Sequence, residues 1–236
     1  MNNTSAPGRR KSNTNKVFVD LFICILIPTL ILKKLSPDDM LGSNWALVAA
    51  LSLPLLVGIY EFIQERKIGF VPALGFISIL LTGSIGLLKL PNQYIAIKEA
   101  LIPLVLAIAT LVSSYTKYPL IKTFLYNDIV MDTARVARKL EADSKEKEFD
   151  QVMVNATYML ASSFTLSAVL NYLLAKWIVV SPSGSAEFNS ELGTMNLMSY
   201  PVIVLPCMVI TMYALFYVIR NVTRLTGLKL EDIMHQ

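Results

Sequence analysis

Charge is what this chain has least of. Asp, Glu, Lys and Arg account for 16% of its 236 residues and hydrophobic residues for 54%, whereas about a quarter of a soluble domain is charged. The few charges crowd into short stretches and leave long runs with none, which excludes the face-by-face patterning of a soluble amphipathic helix and fits a bilayer. Histidine is reduced to the penultimate residue, His235, so a His-based zinc or iron centre has no ligands to draw on. The two cysteines, Cys24 and Cys207, lie inside apolar runs, and no disulfide framework is implied. No Walker loop, Gly-rich dinucleotide turn, HExxH or nucleophile elbow occurs. With acids also unpaired near either interface, an enzyme is the class with least support, and no catalytic, cofactor or metal residue is assigned. A net charge of +4 with pI near 9.0 would suggest nucleic acid in a soluble domain. Here it reads as membrane orientation, without a nucleic-acid partner.

What is present is a set of apolar runs long enough to span. A helix needs about 20 mostly apolar residues to cross a core of about 30 Å. Six stretches qualify: Val17 to Leu35, Trp45 to Ile63, Phe70 to Leu90, Ala96 to Tyr115, Val152 to Trp177 and Leu197 to Ile219. The first is the weakest, since only Leu21 to Leu32 is uncharged between Asp20 and Lys33, and it lacks the small-residue site of a cleaved signal. With alternate loops on alternate sides, sixteen of the 21 Lys and Arg fall on one face and five on the other, namely Lys33, Lys34, Lys89, Lys98 and Lys176. The positive-inside rule then puts both termini in the cytoplasm. The expectation is an all-α, polytopic helix bundle of about six spans, N-in and C-in. Residues 1–16 would be a disordered basic tail, 17–219 the membrane domain and 220–236 a cytoplasmic tail. On the outer side, a polar loop is expected from Ser181 to about Thr194.

Residues 116–151 form the one sizeable cytoplasmic segment. Ile121, Phe124, Leu125 and Ile129 fall near one helical face, while Asp128, Asp132, Arg135 and Lys139 fall together on another, as an amphipathic helix over about Pro119 to Leu140 requires. The charged face is a candidate surface for a partner. Beyond it, Glu141 to Glu148 has no apolar stripe and reads as a solvated helix end or loop.

Ionisable and polar groups within spans are the remaining candidates. Asp20 and Glu61 lie at the cytoplasmic ends of spans one and two, and Lys98 and Glu99 at the outer end of span four, where interfacial water suffices to hold them. Span five is the most polar, with Asn155, Ser162, Ser163 and Asn171 among its residues. Such groups serve close helix packing, or else line a polar path, for which Asp20 and Glu61 would form the vestibule. Gly83 and Gly86 read as a packing face of span three, and the span prolines as kinks.

The run Leu111-Val-Ser-Ser-Tyr-Thr-Lys-Tyr-Pro-Leu-Ile-Lys122, followed by the Asn-led polar span from Asn155 to Trp177, resembles the bacterial intracellular septation protein A family. So do Arg66-Lys67 opening span three, Gly83 and Gly86 near its outer end, and the short link that reaches Lys98. The similarity is one of order and spacing over roughly Val17 to Ile219. It implies a small inner-membrane protein of cell-envelope maintenance, linked to septation and to membrane partners of the division and elongation machinery, with no catalytic residues. The chain departs from that pattern in its basic N-terminal tail and in the charged insert around Ala134 to Glu148, so no family docking contacts carry over there. Two function classes follow: a non-enzymatic scaffold or interaction partner, and a small transporter or channel for an ion, metabolite or lipid along span five.

Overall fold

The computed structural model describes residues 25–65, 70–116, 121 and 132–228, with the backbone alone for 61, 62, 64, 65 and 70–72. Among these residues the regular structure is helical throughout. In chain order the helices are α1 (Ile27–Lys34), α2 (Gly42–Glu65), α3 (Phe70–Leu87), α4 (Gln93–Ser114), α5 (Thr133–Ala142), α6 (Glu146–Ile178), α7 (Ala186–Ser199) and α8 (Leu205–Thr226), the last two joined by a π turn over Tyr200–Val204. Four helical stretches are long and apolar enough to cross a membrane: Gly42–Tyr60, Gln93–Ser114, Glu146–Ile178 and Ala186–Thr226. At most 28% of any of these apolar windows is buried. Outward apolar surface on that scale would cost about 25 cal/mol per Å² in water and nothing in hydrocarbon. The third expected span appears as α3, an apolar helix whose described side chains run from Ala73 to Leu87. Of the first expected span only the end, α1, lies within the described residues.

Local chemistry explains the element ends. Pro28 follows a π-helical step at residues 25–26 that runs directly into α1, as expected where a proline withdraws a backbone donor. Gly42, at φ +76°, turns the chain into α2. Gly227, at φ +67°, closes α8 as a left-handed C-cap, its N–H donating to Thr223 O at 2.9 Å. The π turn lies where Pro201 and Pro206 withdraw two backbone donors within six residues, and one widened turn absorbs the mismatch.

The chain forms two compact units. One comprises residues up to Leu90 together with Ser181–Leu197. Its buried side chains include Leu32, Leu47, Ala50, Ile85, Phe188, Leu192 and Met195. Gly83 and Gly86 do form its close-packed face: a Cβ at Gly86 would run into the Leu47 side chain and meet Phe188, and one at Gly83 would sit 3.2 Å from Leu51. The other unit comprises Pro91–Val180 and Met198 onward. In it α6 packs along α4 and against α8, and α5 lies against both α8 and the N-terminal end of α6.

Several boundaries differ from the expectation: the helix expected over about Pro119 to Leu140 is interrupted at Asp132, the non-helical N-cap of α5, and the last span runs on to Thr226. The polar stretch after Ser181 is a loop only to Ser185, and α7 begins at Ala186. Ser185 Oγ accepts from Phe188 N at 3.0 Å, and Phe188, Leu192 and Met195 bury one face. Ser185, part of the stretch that suggested a loop, thus supplies the cap, and Asn189 joins the buried face. Span five is likewise longer than Val152 to Trp177, because α6 starts at Glu146 with Glu146 and Glu148 in its first turn, where carboxylates suit the positive end of the helix dipole.

Candidate functional site

The polar residues of α6 divide into two groups. Thr157, Ser162, Thr165 and Asn171 turn back on their own helix: their donors reach Met153 O at 2.8 Å, Met159 O at 2.7 Å, Ala161 O at 2.9 Å and Ser167 O at 2.8 Å. Asn171 also donates to Ser167 Oγ at 3.2 Å. Asn155 and Ser163 instead reach across to α8. Asn155 Nδ2 donates to Tyr217 Oη at 3.1 Å, and its Oδ1 accepts from Gln151 Nε2 at 3.0 Å. Ser163 Oγ donates to Cys207 O at 3.0 Å and lies 3.3 Å from Thr211 Oγ1, while Cys207 Sγ points back to Ser163 O at 3.5 Å. Two of the four candidates therefore join helices, and Ser162 and Asn171 do not.

An open groove of about 500 Å³ runs beside α6, lined by Leu111 of α4 and by Tyr158, Ser162, Thr165, Leu166 and Val169. Its only two aliphatic hydroxyls, on Ser162 and Thr165, are the ones turned onto their own backbone. The Tyr158 phenol is the other polar group of a wall that is otherwise apolar. Asp20 lies outside the described residues, as does the Glu61 side chain.

In the segment 116–151, Asp128, Phe124, Leu125 and Ile129 lie outside the described residues. Ile121 is buried, as its apolar face requires, in a cluster with Val136, Leu140, Phe149, Met153, Val218 and Val222. Asp132 has a different role from the one assigned to it. It is the N-cap of α5, accepting from Arg135 N at 2.8 Å, so it belongs to the helix end rather than to an outward charged face. Arg135 and Lys139 are exposed.

Three features escaped the sequence reading. Lys145 Nζ donates to Leu225 O at 3.0 Å, supplying a cation and a donor to a carbonyl in the last turn of α8. Lys98 is 7% exposed and pairs with Glu99 at 2.7 Å, instead of standing in interfacial water. Asn189 is fully buried in α7, its Nδ2 donating to Ser36 Oγ at 3.0 Å and Ser43 O at 2.7 Å. The one available signal was Asn189 sitting beside Phe188 in a stripe continued by Leu192 and Met195.

Among the described residues no group of three or more His, Cys, Asp or Glu side chains could hold a metal ion. No family model matches the chain, and no curated protein or solved structure matches it either.

Proposed function

We propose that this chain is a non-enzymatic, multi-pass protein of the bacterial inner membrane, with six crossings and both termini in the cytoplasm. In this reading it acts as a scaffold or interaction partner in cell-envelope maintenance and septation. The observation that carries the scaffold class is the disposition of α6: its polar groups bond within α6 or tie it to α8, and they do not converge on a shared polar cavity. A transport cycle would require such a cavity near the membrane midplane. The resemblance to the septation family supplies the envelope assignment.

Proximity labelling from the full chain in growing cells, with and without division arrest, tests it. Enrichment of division and envelope membrane proteins that changes on arrest is the expected outcome. Recovery of an arbitrary sample of membrane proteins, unaltered by arrest, would count against the scaffold.

A further inference from the structure

The exposed side of α5 is not chemically uniform. At about 100° per residue, with Val136 at the centre of the buried face, Leu140 falls at about 40°. Arg138, Arg135 and Lys139 fall within an arc of about 200–300° and Ala137, Glu141 and Ala134 within about 100–160°. Val136 and Leu140 are 0% and 2% exposed, whereas the three cations are exposed. The helix thus carries a basic flank on one side of its buried seam and a small, weakly acidic one on the other. Two further carboxylates bound this element: Asp132 accepts from Arg135 N as the N-cap, and Asp143 is the C-cap.

The depth of this helix follows from what it packs on. Thirty-three residues make α6 about 50 Å long, some 20 Å more than the hydrocarbon core, and the charged surplus is at its N-terminal end, Glu146 to Gln151. Phe149, in that surplus, shares the buried cluster with Val136 and Leu140. On α8 the same cluster takes Val218 and Val222, which bracket Arg220, the first charge after the apolar run from Leu205. α5 is therefore held where both long helices pass from apolar to charged sequence.

We infer that the flank of α5 bearing Arg135, Arg138 and Lys139 is a docking surface for the headgroups of anionic phospholipids, an inference that rests on the membrane reading above. Guanidinium forks match phosphate oxygens in a bidentate manner, and the buried seam fixes their backbone before a lipid arrives. Other charges surround the end. Asp143, Glu146, Glu148 and Asp150 stand on the turn and on the first turns of α6, with Lys147 among them, and Arg220 and Arg224 stand on α8. The acids confine the attraction to the headgroup layer, and the two arginines extend it around the bundle. A protein partner of the scaffold would then meet the Glu141 side.

The test is native mass spectrometry of the full chain in mild detergent, titrated separately with phosphatidylglycerol and phosphatidylcholine of identical acyl chains. Wild type should retain phosphatidylglycerol at least tenfold better. In the Arg135→Gln, Arg138→Gln, Lys139→Gln variant the preference should be abolished at low ionic strength, each cation removed accounting for up to about fivefold. Gln is a good helix former, and Arg138→Gln alone provides a milder second variant with a proportionate loss. Equal binding of the two lipids by wild type, or an undiminished preference in the triple variant, overturns the inference. So does Arg-dependent capture of a polyglutamate peptide in place of lipid, which would assign the flank to an acidic protein. Release of the chain from membranes by an alkaline carbonate wash would sink the membrane reading itself, whereas a retained chain without lipid preference sinks only this inference.

Discussion

Two asparagines on one helix have opposite structural weight. Asn171 bonds to Ser167 within α6, while Asn155 bonds to Tyr217 on α8. Replacing a self-satisfied amide by an apolar side chain removes little that holds helices together. Replacing one that bridges helices removes a contact of about 0.6–2 kcal/mol. Asn155→Leu should therefore lower thermal stability of the full chain in detergent by about 1 kcal/mol, and Asn171→Leu should leave it nearly unchanged. Tyr217→Phe should reproduce the Asn155 loss, and no extra loss should appear in the double variant, since both remove the same bond. A larger penalty at Asn171 than at Asn155 would reverse this account. Sequence alone could not rank the two. Both are polar residues in an apolar helix, and whether an amide finds a partner above it or across from it depends on which helix lies opposite.

The helical elements were readable to the extent that burial repeats at a helical period. α2, α4 and α6 announce themselves by uncharged length, and Gly83 and Gly86 by the absence of side chains where α3 meets Leu51 and Leu47. α7 was hidden because its buried face alternates apolar residues with Asn189 and Gly193, a pattern that composition assigns to loops. α5 was readable as amphipathic, but its cap was not, since Asp132 counts equally as a surface charge or as an N-cap until the helix start is known. This matters for mutagenesis. Leu140→Ala, at a site 2% exposed in the cluster beneath α5, should cost about 2–5 kcal/mol locally. Asp132→Ala should cost about 1 kcal/mol. The readout is limited trypsin cleavage at Arg135, Arg138 and Lys139, which should accelerate strongly in Leu140→Ala, modestly in Asp132→Ala, and not in Lys139→Gln at the two remaining sites. Equal cleavage of wild type and Leu140→Ala would mean that the buried seam does not hold the helix down.

At the scale of the molecule, the basic-residue count leaves a degeneracy that labelling must resolve. If only the four long stretches crossed, Lys33 and Lys34 would change sides with Arg66 and Lys67, and the split of sixteen to five would be unaltered. The positive-inside rule therefore cannot choose between four and six crossings. The hydrogen bonds at one end of the first unit bear on the choice. Ser43 Oγ donates to Gly184 O at 2.6 Å, Asn189 donates to Ser36, and a Cβ at Gly184 would lie 3.0 Å from Gly86 O. The turn before α2, the end of α3 and the loop before α7 thus meet, the arrangement that the proposed six crossings call for. With four crossings the turn before α2 and the loop before α7 would lie on opposite faces. Single-cysteine variants at Met40, Lys67, Gly184 and Gln236, in a background lacking Cys24 and Cys207, should separate the cases by labelling of intact cells with an impermeant maleimide. Met40 and Gly184 should label from outside, while Lys67 and Gln236 should label only after permeabilisation. The four-crossing alternative exchanges Met40 and Lys67 and leaves the other two as they are, so the result at those two positions decides the topology.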